Sequence, residues 1–313
     1  MSVRQYRPIL NSQSLGKRST ATGVGIVAIG LWAALAAITK MTGGVPPFQV
    51  LFLSFLIAFF SSIIFMSCRG LKTFHLWRQP LSVWLFCFTA IFTYHALYFY
   101  ALNNAPPAEA SLLAYLWPLL IVILSILADR RAFRISHLIG AMLGFSGCAV
   151  ILLGQIKSSY GITSYKGYIA ALLCAVVWST YSVLNRKFRE VPSEFIGGVC
   201  GLVALAALIA HIRFENTVSP TPQEWLGLIL LGVGPVGLAF FAWDFATKHG
   251  HLPTIGTLSY LAPLISTLLL VFVGLTPLSW PVVVATILTV SGAVVATINP
   301  GKSRSPNFED DGV

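Results

Sequence analysis

The sequence predicts an all-α polytopic membrane protein, with ten transmembrane helices arranged as two inverted five-helix repeats. Three observations lead there: apolar stretches too closely spaced to leave room for a soluble domain, an internal repeat at an offset of about 145 residues, and a lopsided distribution of Lys and Arg. Of 313 residues, 56% are hydrophobic and only 10% charged, with a mean hydropathy of +0.81. A water-facing surface cannot be assembled from what remains, so lipid covers most of the chain.

Ten apolar stretches of roughly 18 to 23 residues are each long enough to cross about 30 Å of hydrocarbon as a helix. They run over 22–40, 48–67, 81–102, 108–127, 136–154, 167–185, 195–212, 224–246, 252–273 and 279–298. The first follows Lys17 and Arg18 and so also resembles a signal peptide. It aligns, however, with 168–186, an internal stretch that cannot be a cleaved signal, and is read as a span. Gly43-Gly44 and Pro46-Pro47 separate the first two spans, and Pro106-Pro107 separate the third and fourth. In the fourth, Pro118 removes a backbone hydrogen bond at mid-span and frees the Ala114 carbonyl, which predicts a kink; Pro263 does the same in the ninth. Gly140, Gly144 and Gly147 in the fifth span are a helix-packing pattern; no strand precedes them, so they are no nucleotide loop.

The repeat is carried by landmarks in both halves. Trp32 followed by Lys40 recurs as Trp178 and Arg186, Tyr115-Leu116-Trp117-Pro118-Leu119 as Tyr260-Leu261-Ala262-Pro263-Leu264, and Ser146-Gly147 as Ser291-Gly292. An odd number of spans per copy makes the second copy enter the membrane from the opposite side. Such inverted repeats are the architecture of secondary transporters, with the substrate near the midplane. The expected organisation is a tail over 1–21, repeats over 22–155 and 156–298, and a tail over 299–313.

Charge sets the orientation. With both tails on one side, sixteen of the twenty Lys and Arg fall there, among them Lys17, Arg18, Arg69, Arg78, Arg134, Arg186 and Lys248. Lys40, Lys157, Lys166 and Arg213 fall on the other, so both termini are expected in the cytoplasm. The net charge of +10 is then the basic fringe of an inner leaflet and calls for no nucleic-acid partner. Cys68, Cys87, Cys148, Cys174 and Cys200 lack paired or CxxC spacing, which argues against a metal site or a disulfide framework.

The duplicated unit, the Trp in the first helix of each half, the Tyr-Leu-x-Pro-Leu pair and the Ser-Gly pair resemble EamA-type members of the drug/metabolite transporter superfamily. The resemblance covers about 22–298. The stretch from Tyr94-His95-Ala96-Leu97-Tyr98 through Ala105-Pro106-Pro107, with Tyr115-Leu116-Trp117-Pro118, is most similar to the bacterial aromatic amino-acid exporters. One departure matters: where such sequences often place a Glu before the two prolines, this chain has Trp117 and Ala262. A mechanism that titrates an acid there does not transfer, and aromatic surface takes its place.

Tyr94 and Tyr98 are four residues apart and share a helix face, with His95 about 60° away, so three polar-tipped rings lie on one strip. Facing lipid at mid-membrane they would lack partners, so a wet cavity or another helix is expected opposite them. Tyr115 and Trp117 sit about 200° apart on an ideal helix and line one cavity only if the kink rotates them. Trp178 and its mate Trp32 lie near mid-span beside small residues, which suits a gate or cavity floor; Trp178 is the stronger candidate. The expected substrate-binding set is Tyr94, His95, Tyr98, Tyr115, Trp117, Trp178 and Ser259, with kinks at Pro118 and Pro263. Asp244 is read as a helix-end ion pair with Lys248 at i+4, and Glu109 as a carboxylate at a helix N-terminus.

No nucleophile, base and ligand set converges as an enzyme requires, and no metal or cofactor is expected. Phosphate substrates would call for Lys or Arg within the spans and a cation for a central carboxylate; the centre has neither. The reading is a monomeric inner-membrane exporter of aromatic and other neutral amino acids, with small-molecule substrate and bilayer as its partners. The alternative is a superfamily transporter of another solute, such as a nucleotide sugar, a sugar phosphate or a drug.

Overall fold

The computed structural model describes residues 10–71, 73–105, 107–128, 134–153, 165–272 and 279–298, and every regular element in them is helical. In chain order, α1 is Leu10–Ala33 continued after Ala34 as Leu35–Lys40, α2 is Pro47–Cys68 and α3 is Leu81–Asn104. Helix α4 is broken into Pro107–Ala114 and Trp117–Ala128, and α5 is Ile135–Leu153. In the second half, α6 is Tyr165–Leu184 with a 3₁₀ turn at Asn185–Phe188, and α7 is Phe195–Phe214. Helix α8 joins Pro222–Val233 to Ala239–His249 through a π turn at Gly234–Leu238. Helix α9 is broken into Leu252–Leu258 and Leu261–Phe272, and α10 is Trp280–Ile298.

Among the described residues, seven helices are long and apolar enough to cross a membrane, and Ala110–Ser125, Ile135–Val150 and Trp280–Ala296 are shorter apolar helices. Large apolar side chains stand exposed on their outer faces, including Ile64, Leu205, Ile209 and Ile287. That surface is unsuited to water and matched to acyl chains. Of the expected tail at 1–21, residues 10–21 form the first turns of α1 and 1–9 lie outside the described residues, as do the tail at 299–313, the side chain of Glu109 and most of the 155–166 connection.

The packing is symmetric between the halves. Helix α5 lies on α10, α2 on α7, α3 on α6, α1 on α8, α4 on both α6 and α9, and α1 on α9. Exchanging the first five helices for the last five leaves this set unchanged, as a two-fold relation between repeats requires. Where α5 and α10 meet, a Cβ on Gly140 would stand 2.5 Å from the Gly292 carbonyl oxygen, and one on Gly144 would stand 2.7 Å from the Tyr260 ring. The glycine stripe therefore sets how closely the halves approach. Gly140→Val should force them apart and lower stability by about 1–3 kcal/mol, read as a lower melting temperature of the purified protein in detergent.

Helix ends are satisfied across the repeats. Helix α2 starts with Pro47 at its first position, and its free Phe48 and Gln49 N–H groups donate to the Glu215 carboxylate at 2.8 and 3.1 Å. Helix α8 opens with a capping box between Thr221 and Glu224, and Glu224 also accepts from the Gly44 N–H at 3.0 Å. Cys87, Cys148, Cys174 and Cys200 are buried free thiols; Cys68 is free and exposed.

Candidate functional site: an aromatic cavity at the repeat interface

The two helix breaks build the site. Pro118 has no N–H to give the Ala114 carbonyl, and α4 comes apart at Tyr115-Leu116. The Leu119 N–H, displaced from its helical acceptor, donates to the Tyr260 hydroxyl of α9 at 3.2 Å. Helix α9 breaks at the matching place, Ser259-Tyr260, ahead of Pro263. The breaks face each other: a Cβ on Gly256 would stand 3.1 Å from the Pro118 carbonyl oxygen. With α4 broken, Tyr115 and Trp117 no longer project on opposite sides of one rod, and both line a cavity of about 140 Å³.

Tyr94, His95 and Tyr98 of α3 line the same cavity, with Trp178 of α6. Tyr94 stacks on Tyr98 with centroids 6.1 Å apart and rings 8° from parallel, and meets Trp178 at 5.3 Å. The Tyr98 hydroxyl is 3.1 Å from the Ser111 hydroxyl. His95 Nδ1 lies 2.8 Å from the Ile91 carbonyl oxygen. A carbonyl only accepts, so Nδ1 carries the hydrogen and Nε2 presents a lone pair.

Ser259 stands apart from this group. It is fully buried, its hydroxyl donates to the Ile255 carbonyl at 2.7 Å, and it is not among the cavity-lining residues. A serine on a helix satisfies itself on the preceding turn, and the polar tip beside Tyr98 is instead Ser111.

Trp32, read from the sequence as the weaker gate candidate beside Trp178, sits at the hub of the rings, 5.0 Å from Trp243, 5.7 Å from Trp178 and 6.3 Å from Trp117. Its indole Nε1–H donates to the Pro235 carbonyl at 3.0 Å, pinning α1 to the π turn of α8. Pro235, Val236 and Phe240 complete that wall. These three were not singled out from the sequence, where Gly234-Pro235 was the available signal for the π turn. Ala262 and Trp117, the residues standing where a Glu precedes the prolines in similar sequences, both line the cavity, and none of the described lining residues is Asp, Glu, Lys or Arg.

Beyond Trp178 and Phe240 along their helices the space is filled. Trp243 donates to the Ser182 hydroxyl at 3.1 Å, and Ser182 to the Trp178 carbonyl at 2.8 Å. Asp244 pairs with Lys248 at 2.7 Å with both side chains buried, Asn185 donates to Asp244 at 2.9 Å, and Lys248 also reaches the Val191 carbonyl at 2.9 Å. These groups bolt α6 to α8 and close the cavity at that end.

The EamA-like transporter family matches residues 21–153 and 165–298. The chain belongs to the EamA-like transporter family. It is thus a multi-pass membrane protein with two copies of the EamA unit. The aromatic amino acid exporter YddG of Ancylobacter novellus is 45% identical over 283 residues, covering 90% of this chain and 98% of that protein. Exporters of the same name from Salmonella typhimurium and Escherichia coli are 23% and 22% identical, over 83% and 84% of this EamA chain. A solved crystal structure 44% identical in sequence superposes with a TM-score of 0.85, covering 90% of this chain and 97% of the other.

Proposed function

We propose that this chain is a bacterial inner-membrane exporter of aromatic and other neutral amino acids, working by alternating access. The observation that carries the proposal is the cavity itself: a chamber walled by tryptophan and tyrosine, tipped with hydroxyl and imidazole groups, without a fixed charge among its lining residues. Such a wall receives an aromatic side chain edge-to-face or stacked. It offers no opposite charge to sugar phosphates or drug cations, which need one at the centre. The Nε2 lone pair of His95 and the Ala114 carbonyl are acceptors for the substrate ammonium, and the tyrosine hydroxyls are donors for its carboxylate. The extent of the likeness to the exporter of Ancylobacter novellus supports the same reading.

In this proposal ten helices span the membrane as two inverted repeats, 22–155 and 156–298, and the protein acts as a monomer. Trp178, Trp243 and the ion pair beneath them are the closed inner gate, and rocking of the halves about the α4 and α9 breaks exposes the chamber alternately. Expression in a bacterial strain lacking its own aromatic exporters should raise resistance to a toxic phenylalanine analogue; unchanged sensitivity at full expression counts against it.

Two predictions follow from the arrangement. With both termini cytoplasmic, cysteine at Ser159 in a cysteine-free background should react with an impermeant maleimide in intact cells and one at Ser303 should not; the reverse pattern inverts the topology. His95→Gln should weaken substrate affinity roughly 3- to 10-fold, the scale of one hydrogen bond. It should leave residual transport with an unchanged response to an imposed pH gradient. Loss of that response while exchange persists would make His95 a coupling residue instead.

A further inference from the structure

A second pocket, of about 460 Å³, lies away from the aromatic chamber, between the start of α1 and the start of α9. Its polar groups are asymmetric. The Thr22 hydroxyl donates to the Arg18 carbonyl at 2.9 Å and accepts from the His251 N–H at 2.9 Å, so the acceptors there are occupied. His251 Nδ1 is engaged by Thr254, at 2.7 Å from its hydroxyl and 3.4 Å from its N–H. The Arg18 guanidinium has a nitrogen, Nη2, buried without a hydrogen-bond partner. Charged donors left unsatisfied are costly, and they call for an acceptor from outside the chain. Among the described residues, no Asp or Glu lines the pocket. Donors, a fixed positive charge and no carboxylate select an oxyanion and reject a cation.

Depth identifies the oxyanion. Arg18 closes the polar run 11–18 of α1 and precedes its apolar residues, the level at which a helix leaves the headgroups and enters hydrocarbon. The pocket opens beside Ser19 and Ile26, both exposed on the outer face of α1, with Val27 exposed next to them. A ligand seated there has its anionic group on Arg18 and its apolar part along Ile26, among the acyl chains. We propose that this pocket binds the phosphate of an anionic phospholipid, with Arg18 as the charge partner and the Ser19 hydroxyl as a further donor.

Native mass spectrometry of the full-length protein in detergent, titrated with phosphatidylglycerol or phosphatidylcholine, tests this. Wild type should hold phosphatidylglycerol at concentrations at least tenfold below those needed for phosphatidylcholine. Arg18→Gln should lose that preference, while Arg213→Gln, an exposed cation at the far end of α7, should keep it. Equal retention of the two lipids by wild type, or an unchanged preference in Arg18→Gln, overturns the proposal. Displacement of bound lipid by millimolar inorganic phosphate would make it a free-anion site and also overturns the lipid assignment. Because Arg18→Gln could fail to fold, a photoreactive phosphatidylglycerol supplied to wild type gives an independent result. Labelling within Arg18–Ile26 supports the site, and labelling confined elsewhere rejects it.

Discussion

Replacing Trp178 with alanine should abolish the proposed phenylalanine export, and Tyr98→Ala should reduce it severely. Trp178 is in ring contact with Trp32, Tyr94, Tyr181, Phe240 and Trp243, and it both lines the chamber and forms its floor. Each aromatic contact contributes about 0.5–1.5 kcal/mol beyond the area it buries. Losing the substrate's contact with the indole and one further ring shifts affinity by roughly 5- to 150-fold, and the gate loses its seal besides. Tyr98 is less enclosed, so Tyr98→Ala separates the two effects: affinity falls while the floor stays intact. Counterflow of labelled phenylalanine, normalised to the amount of folded protein, checks both. Wild-type rates in well-folded variants would make these rings packing residues.

Asp244→Asn should destabilise the protein by roughly 3–5 kcal/mol, the usual consequence of stranding one member of a buried ion pair. Asp244 is fully buried, Lys248 nearly so, and the amide offers no charge to Lys248, whose remaining partner is the Val191 carbonyl. A melting temperature lower by on the order of 10 °C is expected. The double variant Asp244→Asn, Lys248→Met should recover much of the loss, since it removes the stranded charge. A single variant as stable as wild type would mean that Lys248 is not stranded by loss of the Asp244 charge.

Helix positions were legible because the bilayer imposes a length: an apolar run of about 20 residues is a span whatever it packs against. The Tyr94, His95 and Tyr98 strip was legible for a related reason, since residues three and four apart share a helix face. The broken α4 and α9 followed from proline chemistry at Pro118 and Pro263. Phe240 and Phe241 show where sequence stops helping. Both are apolar residues in one helix, yet only Phe240 lines the chamber; neighbours on a helix point about 100° apart, and which one faces inward is set by how α8 packs. The bond from Trp32 to Pro235 joins residues 203 positions apart, so it exists only once α1 and α8 are packed. Ser259 was assigned to the site by symmetry with the opposite break, but local hydrogen bonding turned its hydroxyl back onto its own helix.

Counterflow in proteoliposomes is the direct test of an aromatic amino-acid exporter. Vesicles containing the purified protein and loaded with unlabelled phenylalanine should take up labelled phenylalanine well above protein-free vesicles. Internal tyrosine, tryptophan and other neutral amino acids should drive the same uptake, and amines and sugar phosphates should not. Uptake driven by sugar phosphates or amines, with phenylalanine inert on both sides, would contradict the assignment.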